Sequence, residues 1–286
     1  MEKVKIAILQ IKVETERKVN LDKISKLVAE AKQKGAEIVC LPELFADRYL
    51  AQEENEAGFA LVETIPGSLS RFLAELAKKE KMIIVGGSIF EKREDQKYYN
   101  TCLIFNQNGE TICKYRKMHV PQDQYYYEQF YFQPGNYGYQ LAQTNFGMIA
   151  PLICYDQWFP EAARILAIKG VKMIFYPTAI GWFKEMQEAE PFSAQRWEEA
   201  MRSHASLNGI YTIACNRVGE ERKLNFWGGS FVADPFGQVI ARASADREEM
   251  LIVELDLNKV QQSQESWGFL RNRRPESYKL LSQGGN

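Results

Sequence analysis

Three short segments of the sequence each place a reactive side chain at the end of an apolar or strand-like run. Glu43 follows the run 38–41, Cys154 follows the run 146–153, and Lys117 follows the predicted strand 111–115 within the segment Lys114 to His119. Runs of this length predict buried strands, so we expect each reactive group at a strand end. A carboxyl, an amine and a thiol that converge there supply a base, a cation and a nucleophile for attack on a carbonyl carbon.

Each of these residues also has a simpler interpretation. Glu43 is a surface acid if its loop is solvated, and the basic cluster Lys114 to His119 is then a solvated face. Free cysteine is among the most buried residue types, so Cys154 can be a small apolar core residue. The same is expected of the other cysteines, which are Cys40, Cys102, Cys113 and Cys215.

A catalytic interpretation follows if the three side chains are buried together. Burial among apolar neighbours favours the protonated form of a carboxyl, as a general base near neutral pH requires. A lysine held charged beside a carboxylate can stabilise an oxyanion. Cys154 lies between a strand and a helix that can begin near Pro160. A sharp turn there would project its sulfur and offer the next backbone N–H to the oxyanion.

Considered together, Glu43, Lys117 and Cys154 resemble the Glu-Lys-Cys triad of the nitrilase superfamily of carbon-nitrogen hydrolases. The resemblance covers nearly the whole chain and rests on Leu41-Pro42-Glu43, Arg116 to His119, Ile153 to Asp156 with Phe159-Pro160-Glu161, and Asn216-Arg217. Longer segments are similar to the N-carbamoylputrescine amidase branch, namely Tyr127 to Phe132, Asp156 to Arg164, Tyr176 to Gly181 and Arg271 to Tyr278.

The resemblance implies an α/β fold, a four-layer α-β-β-α sandwich, in a single carbon-nitrogen hydrolase domain over residues 1–286. It also implies a homodimer or larger homo-oligomer in which a C-terminal arm, expected from about Ser263, reaches across the subunit pairing. Trp267, Phe269 and Tyr278 agree, because a monomer has little reason to expose such aromatics. Pro151 departs from the pattern, since many members have glycine there, and this leaves the geometry before the nucleophile open.

The same resemblance implies roles for individual residues. Cys154 is the nucleophile, Glu43 is the general base and acid, and Lys117 stabilises the oxyanion together with the backbone N–H of Tyr155. Glu128 resembles the family's second glutamate, which holds Lys117 and the substrate amide, or else it forms a purely structural ion pair. The implied reaction cleaves N-carbamoylputrescine to putrescine, carbon dioxide and ammonia through a cysteine thioester, without a metal ion or organic cofactor.

The substrate of this reaction is a small carbamoylated amine whose distal ammonium needs a carboxylate or aromatic faces at a distance from the nucleophile. The aromatic segment 125–132 is one source, and we expect Tyr127 to contact the substrate. The segment 182–190 is the other, with Trp182 and Glu185 as candidates, although its glutamates could form a solvated helix face. Neither segment is rich in the arginine or lysine that a carbamoylated amino acid requires.

Other functions remain open at this point. Within the superfamily they are a beta-ureidopropionase, an aliphatic or omega-amidase and a nitrilase. A different class is a cysteine–histidine hydrolase in which His119 or His204 activates Cys154, although both histidines could be hydrogen-bonded structural residues. A non-catalytic scaffold of the same fold is a further alternative, and the intact Glu43, Lys117 and Cys154 argue against it.

The composition excludes several kinds of partner. The 36 basic and 37 acidic residues give a formal net charge of -1, which offers no general attraction for nucleic acid or an anionic membrane. The longest apolar runs are too short to span a bilayer. We find no signal peptide at the N-terminus and expect a cytoplasmic protein. Five widely spaced cysteines without a Cys-x-x-Cys pair predict neither a disulfide framework nor a zinc site.

The elements that must position the reactive residues alternate between strands and helices. Hydrophobic periodicity predicts strands over 4–9, 38–41, 82–90, 101–105, 111–115, 146–153, 173–176, 210–214, 229–233, 238–241 and 250–255. Helices are predicted around 21–31, from Ser68 as N-cap, over 160–168 and over about 191–207. Asn108-Gly109 predicts a hairpin, and Pro235-Phe236-Gly237 predicts a turn.

Overall fold

A computed structural model describes residues 2–283, whose strands form two large sheets and two small ones. In chain order the strands are β1 (Lys3–Gln10), β2 (Ile38–Cys40), β3 (Ile83–Val85), β4 (Ile89–Lys92), β5 (Tyr98–Phe105), β6 (Thr111–Arg116), β7 (Gln122–Asp123), β8 (Tyr126–Tyr127), β9 (Ala142–Thr144), β10 (Gly147–Pro151), β11 (Val171–Pro177), β12 (Gly181–Trp182), β13 (Tyr211–Cys215), β14 (Val218–Glu221), β15 (Leu224–Trp227), β16 (Phe231–Ala233), β17 (Val239–Arg242) and β18 (Glu249–Asp256). The helices are α1 (Arg17–Gln33), α2 (Ser68–Glu80), α3 (Glu128–Tyr131), α4 (Pro160–Ile168), α5 (Lys184–Ala189), α6 (Ser193–Asn208) and α7 (Asn258–Trp267).

The first large sheet has the strand order β18-β1-β2-β3-β5-β4, with β6 paired to β5. Strands β1, β2 and β3 are parallel, whereas β18 and β5 run antiparallel to their neighbours. Successive side chains of a strand point to opposite faces. Ile6 and Ile8 of β1 therefore enter the core between the sheets, while Ala7 and Leu9 enter the core beneath the helices. Burial on both faces explains the continuous apolar character of this strand.

The second large sheet has the order β17-β16-β13-β11-β10-β9, and its central strands β10, β11 and β13 are parallel. The carboxyl ends of parallel strands lie at one edge of a sheet. The segments that follow these strands therefore begin side by side, and Cys154 is in the first of them.

Helices cover the outer faces of both sheets. On the first sheet, α1 and α2 pack through apolar residues such as Ile24, Val28 and Leu73. On the second sheet, α4 and α6 pack through residues such as Leu166 and Met201. The layer order of helices, sheet, sheet and helices confirms the predicted four-layer sandwich. None of the helices within residues 2–283 combines the length and the apolar character needed to cross a membrane.

Several predicted elements differ from the observed ones in detail. The predicted strand 82–90 is two strands, β3 and β4, because Gly87 adopts a φ of +58° and breaks the extended run. Ser68 is the first residue of α2 rather than its N-cap, which is Gly67. The hairpin at Asn108-Gly109 does join β5 to β6, with Gly109 at a φ of +80°. The sequence patterns do not predict the hairpin of β14 and β15, because each strand has only four residues and shows no regular alternation of apolar and polar side chains.

The C-terminal arm begins later than the sequence indicates. Helix α7 continues through Trp267, and its residue Ser263 is only 8% exposed. The Ser263 hydroxyl donates a hydrogen bond of 2.8 Å to the carbonyl oxygen of Pro235, which anchors the helix on the second sheet. Because this helix consists mostly of polar residues, its sequence shows no clear hydrophobic periodicity. The irregular segment starts at Gly268, which ends α7 with a φ of +65°.

Candidate active site

The structure brings Glu43, Lys117 and Cys154 to one buried place between the carboxyl edges of the two sheets. Their exposed fractions are 0%, 1% and 6%. Lys117 Nζ lies 2.8 Å from Glu43 Oε1. The charges of Glu43 and Lys117 both shift the pKa of the Cys154 thiol, so the three groups lie close enough to interact electrostatically. The strand ends predicted from the sequence therefore meet in space.

Glu43 is held at one carboxylate oxygen and unpaired at the other. Its Oε1 accepts hydrogen bonds from Asn100 Nδ2 (2.8 Å) and from Lys117 Nζ. Among residues 2–283, no group hydrogen-bonds to its buried Oε2. A buried carboxylate oxygen without a partner is costly, and here it is available to accept a proton.

Glu128 holds the other side of the lysine. Its two oxygens lie 2.8 Å and 2.7 Å from Lys117 Nζ, and its Oε1 also accepts a hydrogen bond of 2.7 Å from the Tyr49 hydroxyl. Burial raises the pKa of Glu128 to about 7, although the charge of Lys117 opposes this rise. Burial alone would lower the pKa of Lys117, but the charges of Glu128 and Glu43 raise it, so the lysine stays protonated.

Cys154 lies on a sharp turn. Its φ is +41°, and it opens the 3-10 turn Cys154–Trp158 that leads into α4. A side chain at positive φ is strained, and such strain is common where a reactive group is presented. Burial and the charge of Glu43 raise the pKa of the Cys154 thiol well above its usual range, while Lys117 lowers it. The thiol is therefore protonated at rest, and its attack on a carbonyl requires a base.

Asp156 supports this turn from within and is fully buried. Its Oδ2 accepts hydrogen bonds from the Tyr115 hydroxyl (2.7 Å) and the Ile153 backbone N–H (2.9 Å). Its Oδ1 accepts from the His119 backbone N–H at 3.0 Å. One carboxylate thus ties the segment after β6 to the segment after β10, which carry Lys117 and Cys154.

Both histidines have structural partners. His119 Nδ1 lies 2.7 Å from Asp156 Oδ1, and its ring stacks on Phe159 with the ring centroids 3.6 Å apart. His204 Nε2 donates to the backbone oxygen of Gln157 at 2.7 Å, and burial lowers the pKa of this histidine. These contacts argue against the cysteine–histidine alternative, because neither ring is directed to the Cys154 thiol.

Pro151 does not interrupt the strand pairing that leads to Cys154. It is the last residue of β10 and pairs with Phe175 of β11. The next residue, Leu152, donates its backbone N–H to the Phe175 carbonyl oxygen at 2.9 Å. The parallel ladder thus continues past the proline toward the turn.

Above the thiol lies a cavity of about 780 Å³. Cys154, Tyr155 and Glu128 are in its wall, and Tyr155 directly follows Cys154 in the chain. The aromatic and charged residues of the remaining wall are Tyr126, Trp158, Phe183, Trp227, Asp123, Glu190 and Arg196.

Three predicted substrate contacts lie elsewhere. Tyr127 pairs with Gln122 in the β7–β8 hairpin, and Trp182 packs on Trp227 with the ring centroids 4.9 Å apart. Glu185 is on α5, a helix that buries none of its residues, as expected of a solvated face. The cavity wall instead holds their chain neighbours Tyr126, Phe183 and Met186, together with Glu190. Both predicted segments therefore contribute residues to the cavity wall, but not the three side chains expected from the sequence.

The sequence interpretation also missed Tyr49 and Asn100. A signal for Asn100 was present, because the β5–β6 hairpin register pairs Thr101 with Arg116 and so puts Asn100 opposite Lys117. No comparable signal existed for Tyr49, whose contact with Glu128 joins residues 79 positions apart.

Comparison with known proteins agrees with this geometry. Residues 5–265 match the sequence profile of the family described as Carbon-nitrogen hydrolase. The chain is 36% identical to an N-carbamoylputrescine amidase of Solanum lycopersicum, over 97% of this chain and 94% of the relative. It is 33% identical to a citrullinase of Francisella tularensis, over 97% of this chain and 98% of the relative. A crystal structure of a carbon-nitrogen hydrolase from Helicobacter pylori G27 superposes with a TM-score of 0.94 and 36% identity, covering 98% and 99% of the two chains.

The fold, the buried cluster of Glu43, Lys117 and Cys154, and the similar proteins all indicate the same class of protein. It is an enzyme, a hydrolase that acts on carbon-nitrogen bonds. The chain belongs to the carbon-nitrogen hydrolase family, that is, to the nitrilase superfamily that its motifs resemble.

Proposed function

We propose that this chain is an amidohydrolase that cleaves N-carbamoylputrescine to putrescine, carbon dioxide and ammonia, a reaction of polyamine biosynthesis. The observation that carries the proposal is the shared cavity wall of Cys154 and Asp123. Glu190 is paired with Arg196 at 3.6 Å, whereas the Asp123 carboxylate has no ion-pair partner within residues 2–283. A thiol that attacks a ureido group and a free carboxylate that receives an ammonium match the two ends of this substrate. The similarity to the tomato amidase supports the same assignment.

In the first half of the reaction, Glu43 takes the proton of the Cys154 thiol through its unpaired Oε2. The sulfur then forms a bond to the ureido carbon. The oxyanion that develops is stabilised by Lys117 and by the backbone N–H of Tyr155, a contribution of about 3 kcal/mol per donor in comparable sites. Glu43 returns the proton to the leaving nitrogen, ammonia departs, and a carbamoyl thioester remains on Cys154.

In the second half, Glu43 removes a proton from a water molecule that attacks the thioester carbon. The carbon–sulfur bond breaks and the proton returns to the sulfur. The released carbamate decomposes to carbon dioxide and putrescine. Glu128 and Tyr49 do not exchange protons in this sequence, and they keep Lys117 in place between the two carboxylates.

A second candidate substrate is citrulline, which carries an ammonium and a carboxylate at the end distant from its ureido group. Arg196 in the cavity wall favours it, because the guanidinium offers a partner for that carboxylate while Asp123 or Glu190 receives the ammonium. The similarity to the Francisella citrullinase points the same way.

Ammonia release from a panel of substrates tests these assignments. The panel contains N-carbamoylputrescine, citrulline, N-carbamoyl-beta-alanine, an aliphatic amide and a nitrile. We expect the highest kcat/KM with N-carbamoylputrescine. A higher value with citrulline transfers the assignment to the second candidate, and a higher value with N-carbamoyl-beta-alanine, the amide or the nitrile overturns both.

The role of Asp123 is tested by Asp123→Asn. This change should lower kcat/KM for N-carbamoylputrescine. The corresponding loss of transition-state stabilisation is about 2–3 kcal/mol, because a charged hydrogen-bond partner is removed. The change should leave an analogue with methyl in place of the distal ammonium unaffected, because that analogue makes no such bond. Glu185→Gln is the matched comparison on the exposed face of α5. A larger loss with Glu185→Gln than with Asp123→Asn would contradict the position of the ammonium.

A further inference from the structure

The loop 43–49 carries groups that act on both carboxylates of the site. It begins with Glu43, the proposed base. It ends with Tyr49, whose hydroxyl donates to Glu128 Oε1 at 2.7 Å. Between them Leu44 has a φ of +47°, a left-handed conformation that a residue with a branched side chain rarely adopts. A loop strained in this way keeps its shape only when other groups hold it.

Arg217 holds the first half of this loop from the opposite sheet. It follows β13 and is fully buried. Its Nε and Nη2 donate to the Glu43 carbonyl oxygen at 3.1 Å and 3.0 Å, and Nη2 also donates to the carbonyl oxygens of Leu44 and of Asp47 (2.9 Å). One guanidinium group thus bonds three carbonyl oxygens of the loop backbone, those of Glu43, Leu44 and Asp47.

Glu221 completes the arrangement at the other end of the loop. Its Oε1 accepts from Arg217 Nη1 at 2.8 Å, and its Oε2 accepts from the Tyr49 backbone N–H at 2.8 Å. Glu221 is 2% exposed. The ion pair therefore contacts the backbone next to the Glu43 side chain and the backbone of the residue that bonds Glu128.

We propose that the Arg217–Glu221 ion pair is a positioning device that holds the carboxylates of Glu43 and Glu128 at the distances they need around Lys117. The inference rests on the proposed roles of Glu43 and Cys154, and it assigns a task to the Asn216-Arg217 motif that those roles leave unused. Neither residue is in the wall of the substrate cavity. Their effect must pass through the loop, because a displacement of about 1 Å at a reacting group can lower a rate about a hundredfold.

The test measures kcat, KM and the rate constant of Cys154 alkylation by iodoacetamide, which needs no substrate. Arg217→Lys keeps the charge but loses the fork that bonds several carbonyls. We expect kcat and the alkylation rate to fall by about a hundredfold with KM changed less than about threefold. Glu221→Gln keeps one acceptor and should give an intermediate loss. Arg202→Lys is the matched control, because Arg202 bonds the Gly237 carbonyl oxygen and Glu198 away from the loop.

A double-mutant cycle separates positioning from general stability. If Arg217 acts through Glu43, then Arg217→Lys in a Glu43→Gln background should cause no further loss of alkylation rate. An equal loss in both backgrounds, or losses matched by Arg202→Lys, overturns the proposal. If Arg217→Lys does not fold, Glu221→Gln takes its place in the cycle. Alkylation at a residue other than Cys154 would instead refute the proposed function, so the two failures are distinguishable.

Discussion

At the scale of single residues, the reactivity of the site depends on which of its side chains are protonated. The structure holds Lys117 charged between two carboxylates and keeps the Cys154 thiol protonated, because burial and the charge of Glu43 outweigh the attraction of the lysine. A cysteine–histidine enzyme has the opposite resting state, with a thiolate stabilised near neutral pH. The proton state of the thiol therefore separates the two mechanisms.

We predict that alkylation of Cys154 by iodoacetamide accelerates with rising pH through 9.0, the ordinary pKa of the thiol, without a plateau near neutrality. The reason is that burial and the charge of Glu43 raise the pKa of the thiol, so that near neutral pH it reacts only by transferring its proton to Glu43, and the more reactive thiolate forms only as the pH rises. The measurement is the labelling rate between about pH 6 and pH 10, with the site identified by mass spectrometry.

Two variants serve as controls for this measurement. Cys154→Ala should fold normally, lose the label and retain less than about one part in a thousand of turnover. His119→Ala should keep most activity, since its ring bonds Asp156 rather than the thiol. A rate plateau across neutral pH that disappears in His119→Ala or His204→Ala would support the histidine mechanism instead.

At the scale of elements, glycines decide how closely the loops of the site approach each other. Gly87, between β3 and β4, lies against the loop that carries Glu43. A Cβ at Gly87 would lie 2.2 Å from the Pro42 carbonyl oxygen and 3.0 Å from Phe45 Cδ1. Gly138 has a similar φ of +66°, but a Cβ there meets nothing within 4 Å. The two positions share the backbone strain and differ in the available space.

We predict that Gly87→Ala lowers the free energy of unfolding by about 2–3 kcal/mol more than Gly138→Ala, because it adds a steric clash to the same strain. Gly87→Ala should also reduce kcat, since the displaced carbonyl belongs to the residue before Glu43. Urea unfolding and steady-state kinetics on both variants measure these effects. Equal costs at the two positions would show that space beside Pro42 is unimportant.

At the scale of the whole molecule, large apolar side chains remain exposed at the end of α7 and in the C-terminal arm that follows it. Trp267, Leu280 and Leu281 have exposed fractions of 74%, 78% and 69%. Ile168 of α4 is 48% exposed as well. An apolar surface built from such side chains usually marks an interface, and the arm lies outside the layers that form the core.

We predict that the protein forms a homo-oligomer through this surface. Sedimentation equilibrium at micromolar concentration should give a multiple of the 33.0 kDa chain mass. Removing the residues after Trp267 should shift the protein toward smaller species, whereas replacing only the exposed Lys18 by Ser should not. A stable species of 33.0 kDa formed by the full chain would contradict the prediction.

The sequence by itself determined the features that depend on local preference. Pro160 begins α4, Gly109 forms the β5–β6 turn, and continuous apolar runs mark strands buried on both faces. Because short loops follow those strands directly, the sequence also placed Glu43 and Cys154 at strand ends. Its resemblance to a known family supplied the four-layer architecture, which local periodicity alone left undefined.

Only the tertiary structure decided which side chains meet across the two sheets. The contact of Arg217 with the Glu43 loop joins residues 174 positions apart, and no local pattern encodes it. The choice of Tyr126 over Tyr127 in the cavity wall depends on which face of a two-residue strand is turned inward. The physical reason is that periodicity fixes the alternation of side chains, whereas packing against distant elements fixes their direction.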